Sequence, residues 1–144
     1  MANNCGAAIA ITGSPTVLRD WLASVLEPRL DLRVVDGADF DVELPLPMSI
    51  LERLDPVPRH VGPEDHWGSQ QPDRETRWIM QGFGRVYIET VFAYGPPEVA
   101  FDRIAAASPE LTFTITYSEI GFGEIGTLAW AHGHRILDTR VNLN

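Results

Sequence analysis

Glu119 and Glu124 flank the short stretch Ile-Gly-Phe-Gly. Two carboxylates held near one another can split their pKa values and share acid–base work. Glu89 lies on a segment expected to run beside them, and His132 and His134 follow closely, so a small hydrolase built on clustered Glu and His is one reading. The His-x-His pair could supply two metal ligands if both side chains shared a strand face. Gly133 between them marks a turn instead, and neither Cys-x-x-Cys nor His-Glu-x-x-His occurs. No metal and no cofactor are therefore expected. Gly-Phe-Gly appears at 82–84 and 121–123, too short for a nucleotide loop and ordinary as turn chemistry. Cys5, the single cysteine, reads as a small buried hydrophobe.

The aromatic residues carry a second kind of signal. His66-Trp67-Gly68-Ser69-Gln70-Gln71 sits in a stretch, 56–80, with four prolines and no clean period. Connections of that length are usually functional or disordered. Trp67 and Trp78 argue against disorder, because disordered segments are poor in aromatics. Gly68 permits a turn of positive φ immediately after the indole. Trp67 reads first as a plug that pins the loop. Its second reading is the anchor of a partner groove edged by His66 and Gln70, within an aromatic set that includes Trp78, Phe92, Tyr94 and Trp130.

Charge narrows the partner. The chain holds 20 acidic residues against 11 arginines and no lysine, for a net charge of −9. The arginines are scattered singly, so the clustered positive charge that phosphate binding needs is missing and direct nucleic-acid binding is disfavoured. Residues 31–43 concentrate acids, including Asp36, Asp39, Asp41 and Glu43. A solvated face is the plain reading, and a surface that docks on a basic protein is the sharper one.

These residues need elements to position them. "AAIAITG" (7–13) reads as a buried strand closed by glycine. Ser14 and Pro15 open a helix whose stripe holds Val17, Leu18, Trp21, Leu22, Val25 and Leu26. A half-buried strand is expected over 40–47, two helical turns over 49–55, and an irregular insertion over about 45–82. "RVYIETVF" (85–92) is a strand, and 95–110 a helix opened by Pro96 and Pro97. Over 111–118 Leu, Phe, Ile and Tyr alternate with Thr and Ser, as in an antiparallel strand with one buried face. Residues 126–141 form a hairpin turning at Gly133. Strand–helix–strand written twice predicts one α+β domain over 1–144, a ferredoxin-like sandwich with an antiparallel sheet and two helices on one face. The open sheet face leaves a nucleic-acid-binding module as a further alternative, although it lacks the basic and aromatic motif of RNA-recognition modules. No apolar run approaches the ~20 residues of a membrane span, and the N-terminus lacks the pattern of a signal peptide, so a cytoplasmic protein is expected.

With the elements in place the chain resembles the YubB-type ferredoxin-like family of plasmids and bacteriophages, also named after an aphid-phage protein. "MANNCGAAIAITG" is similar to that family's opening, "HWGSQQ" falls where it tends to have Asn-Trp-Gly-Thr-Lys-Trp, and residues 89–126 resemble its strand, Pro-Pro, helix and Tyr-x-Glu-x-Gly segment. Asn4, Gln71 and Tyr94 stand where the family has tryptophan. The resemblance implies the sandwich fold and a mobile-element origin, and it brings no catalytic residue. The combined expectation is a non-enzymatic accessory protein acting by contact with a host or mobile-element protein, with Asp36, Asp39, Asp41, Glu43, His66, Trp67 and Gln70 as the binding residues. The partner would present a basic surface, or be a nucleic-acid-binding defence component. A homodimer is a further option.

Overall fold

The computed structural model describes residues 4–26, 42–44, 49–69, 71–81, 84–121 and 123–143. Among these residues seven strands form one open antiparallel sheet in the order β2-β3-β4-β1-β5-β6-β7. They are β1 (Asn4–Thr12), β2 (Val42–Leu44), β3 (Arg74–Met80), β4 (Arg85–Ala93), β5 (Thr112–Glu119), β6 (Glu124–Ala131) and β7 (His134–Asn142). Among the described residues four helices accompany them: α1 (Pro15–Leu26), α2 (Ile50–Leu54), α3 (Pro63–Trp67) and α4 (Glu98–Ala107). The fold is α+β.

The side-chain period of two decides what each strand buries. In register across the centre, Ile88, Ile9, Ile115 and Leu128 form one row, and Val86, Ile11, Phe113 and Trp130 the next. All eight are buried, and they make the helix-facing side of the sheet. Trp21 of α1 meets Phe113 edge-on at 6.4 Å, and Phe101 of α4 meets Trp130 at 5.5 Å. Phe113 and Trp130 are direct neighbours in the ladder, so both long helices cover the same face. The opposite face carries Ala8, Ala10, the threonines of β5, and Tyr87 and Glu89 of β4.

The stretch 56–80 departs from the irregular insertion expected of it. It contains α3 and, from residue 74, a full strand. In β3, Thr76, Trp78 and Met80 point inward at period two, and a bulge between Arg74 and Arg77 interrupts the ladder to β4. "HWGSQQ" begins as the end of a helix. Gly68 closes α3 in the left-handed region at φ 79°, and its N–H donates to the Glu64 carbonyl at 2.9 Å, as a C-terminal glycine does. The strand expected over 40–47 is described only as β2, and the other residues of that stretch lie outside the described set.

Two buried aspartates hold this cover in place. Asp73 accepts hydrogen bonds from the backbone N–H groups of Ile50 and Leu51 at 2.9 Å and from the Ser49 hydroxyl at 2.5 Å, capping α2 from 22–24 residues away. The hydroxyls of Thr76 and Thr90 complete its shell. Asp55, at the C-terminal end of α2, receives the Arg103 guanidinium from α4, with Nη2 2.7 Å from Oδ2. A carboxylate with that many partners is far cheaper to bury than a bare one.

The closing hairpin turns through His132 and Gly133, at φ 54° and 80°, the paired positive values of a tight type I′ turn. Arg135 ties β7 to α4 by pairing with Glu98 and Asp102 at 2.7 and 2.9 Å.

Candidate functional site: an aromatic and proline-lined pocket

β4 ends at Ala93, and the chain must then swing upward into α4. It does so through Tyr94, held at φ 72°, and Gly95. Pro96 and Pro97 follow, and the Pro97 carbonyl accepts the first helical hydrogen bond, from the Phe101 N–H at 3.1 Å. A tyrosine in the left-handed region carries a penalty of roughly 1–2 kcal/mol that glycine would not. Nothing about the turn itself requires an aromatic there.

Opposite this turn stands Trp67. Its indole Nε1–H donates to the Asp55 carbonyl at 2.9 Å, and the Arg103 guanidinium reaches both the Asp55 carboxylate and, at 2.8 Å, the His66 carbonyl. Trp67 is therefore clamped between the end of α2 and the flank of α4, with 8% of its surface exposed. His66 joins the clamp, with Nε2 3.1 Å from Asp55 Oδ2. Between the clamp and the turn lies a pocket of about 240 Å³ lined chiefly by Leu51, Trp67, Phe92, Tyr94, Pro96 and Pro97. Sites for drug-sized ligands run to roughly 300–1,000 Å³, so this one is sized for a single side chain. Tyr94 stands at its rim, 52% exposed.

No family model, curated protein or solved structure matches this chain. The site's meaning therefore rests on its geometry.

Of the residues singled out for binding, Trp67 lines the pocket and His66 sits behind it. Asp36, Asp39, Asp41 and Gln70 lie outside the described residues, and Glu43 is placed only by its ladder partner, Ile79. Of the aromatic set, Trp67, Phe92 and Tyr94 converge on the pocket, whereas Trp78 and Trp130 are fully buried in the core. Asp55 and Arg103, which set the Trp67 orientation, went unread in the sequence because their pairing spans 48 residues.

The residues proposed for hydrolysis do not assemble. Glu89 is on the open sheet face, 2.9 Å from Arg77. His132 and His134 are at the hairpin tip, beside Ala131, while Glu124 begins the same strand at its far end. Only Glu119 and Glu124 meet, as direct partners across β5 and β6 on the helix side. Glu124 accepts the Tyr117 hydroxyl at 2.6 Å. Glu119 lies beneath the Tyr94–Gly95 turn, where a Cβ on Gly95 would come 3.7 Å from its Oε2. Burial and the neighbouring Glu124 raise the Glu119 carboxyl pKa, and its Oε1 accepts no hydrogen bond from the described residues. Cys5 is opposite Glu119 in the ladder, and burial followed by the two carboxylates pushes its thiol up to about 12. A thiol held so firmly protonated is a poor nucleophile. Among the described residues, no three His, Cys, Asp or Glu side chains are grouped to hold a metal ion.

Proposed function

We propose that the chain is a binding module that works by protein–protein contact, seating one apolar or aromatic side chain of its partner in the Trp67–Tyr94 pocket. The observation that carries this reading is Tyr94: an exposed aromatic held at positive φ on the rim of a pocket whose aromatic and proline rings are joined by the polar Ser69, Gln71 and Glu98. A strained backbone position that keeps an aromatic where glycine would be free points to function. Tyrosine and tryptophan, rigid and amphipathic, dominate binding hot spots. The scattering of Glu89, His132, His134 and the Glu119–Glu124 pair over both faces and both ends of the sheet supports binding over catalysis. The acidic 31–43 segment, with Asp36, Asp39, Asp41 and Glu43, suits a basic partner.

The finer fold assignment belongs to the same proposal. Strands β5-β1-β4-β3, with α1 following β1 and α4 following β4, are the order and crossovers of a ferredoxin-like sandwich, extended by β2 at one edge and the β6–β7 hairpin at the other. That order is the fold the resemblance of the 89–126 segment implies, and the role proposed with it is an accessory protein of a plasmid or phage directed at a host or element-encoded protein.

Tyr94→Gly separates binding from folding. Glycine adopts φ 72° freely, so the variant should be as stable as the parent or about 1 kcal/mol more stable by thermal unfolding. Affinity for the partner isolated with the parent chain should fall at least about tenfold, the equivalent of roughly 1.4 kcal/mol. Undiminished affinity in the folded variant would remove the pocket from the account.

A further inference from the structure

β7 is the outermost strand of the sheet, and beyond the irregularity at Ile136 its residues 137–142 run in unbroken register with β6, a full strand length. Among the described residues no strand pairs with its outer edge, and residues 136–143 are all exposed. An edge of that length is a template for another strand. Its sequence is not neutral about which one. Leu137-Asp138-Thr139-Arg140-Val141 reads apolar, acid, hydroxyl, base, apolar, an order that complements itself when run antiparallel.

We propose that two copies of the chain pair through β7, antiparallel, with a two-fold axis at Thr139. In that register Leu137 faces Val141 of the other copy, Asp138 faces its Arg140, and Thr139 faces Thr139. Every residue meets one from the same sheet face. Leu137, Thr139 and Val141 are in register with Ala129, Thr127 and Ile125 and share the open face, whereas Asp138 and Arg140 share the helix face with Leu128 and Gly126. Shifting the axis by one residue puts Asp138 against Asp138 or Arg140 against Arg140, each a like-charge pair directly opposed. Placing it between residues mixes the faces. Within one copy Asp138 and Arg140 already contact each other, with Nε 2.7 Å from Oδ1. Pairing therefore extends this contact into an alternating row of four charges. Leu137 and Val141, 44% and 49% exposed, form an apolar pair on each side of the axis, and the two seven-stranded sheets become one. The contact is isologous and closes on itself, which limits the assembly to a dimer.

The register makes the test specific. Thr139→Cys should trap the dimer as a disulfide under mild oxidation, because only position 139 meets its own copy. Leu137→Cys and Val141→Cys should fail alone and cross-link when mixed, since cysteines whose Cα atoms lie more than about 7 Å apart cannot be bridged. The native Cys5 is buried and should not interfere. In parallel, Asp138→Arg and Arg140→Asp should each be monomeric by sedimentation, and an equimolar mixture should recover the dimer as a heterodimer. That recovery cannot come from unfolded chains. If the charge variants prove unfolded, the cysteine series decides. Parent chain that stays monomeric at high micromolar concentration, cross-linking at 137 or 141 alone equal to that at 139, or folded charge variants that dimerise unmixed would each overturn the pairing.

Discussion

Glu119 is the residue whose environment and charge disagree most openly. It is 7% exposed, beside Glu124 across the ladder, with one oxygen unpartnered among the described residues. Its carboxyl therefore holds a proton more tightly in the folded protein than at the ordinary value of 4.5, burial being the larger cause and the Glu124 charge the smaller. Where the folded state binds more protons than the unfolded chain, stability falls as pH rises. The loss begins near the unfolded value of 4.5 and is complete once pH has passed the raised folded one. Glu119→Gln, close in shape to the protonated acid, should remove that slope. Thermal melts should place the variant above the parent at neutral pH, with the gap closing as pH falls toward 4.5. A gap that stays constant from pH 4 to 8 would mean that Glu119 ionises without penalty.

At the scale of elements, the α2–α3 cover explains how a short, proline-rich segment stays folded. Helices of five residues have no stability of their own. Ser49 and Asp73 together cap α2, Asp55 and Arg103 tie the cover to α4, and Trp67 fills the space between. Trp67→Ala should cost about 3–5 kcal/mol, as large-to-small changes at buried tryptophan do. Trp67→Phe keeps most of the packing and loses only the bond to the Asp55 carbonyl, so about 1 kcal/mol is expected. Denaturant melts should rank the parent, the Phe variant and the Ala variant in that order, and equal losses would mean that the hydrogen bond rather than the ring holds the cover. The strong alternation over 111–118 and the capped stripe of α1 made β5 and α1 readable in the sequence, since the buried residues there repeat with the period of the element. β3 was concealed by its own irregularity. Arg74, Glu75 and Arg77 put charge in the first half, Glu75 adopts φ 55° at the bulge, and Thr76 spends an inward position on Asp73. The pocket was less visible still, because Trp67 and Tyr94 converge only through pairings such as Asp55–Arg103 that leave no local pattern.

For the molecule as a whole, the 20 acids and 11 arginines matter more to encounter than to fold. The arginines described in the hairpin already have partners within the chain: Arg135 and Arg140 are shared among Glu98, Asp102 and Asp138. The acids of 31–43 have a single arginine, Arg33, among them, so that segment gives the chain its densest negative stretch. If the partner is basic, this charge acts at a distance while the Trp67–Tyr94 pocket acts on contact, and the two are separable kinetically. Reversing Asp36, Asp39 and Asp41 to lysine should lower the association rate by about tenfold or more at low ionic strength and leave dissociation nearly unchanged. The deficit should shrink as salt approaches 0.15 M, where the screening length is about 8 Å. Tyr94→Gly should do the reverse, speeding dissociation with little effect on association. Stopped-flow or surface-based kinetics on the two variants decides the matter, because a triple reversal that accelerates dissociation would put the acids inside the contact rather than around it.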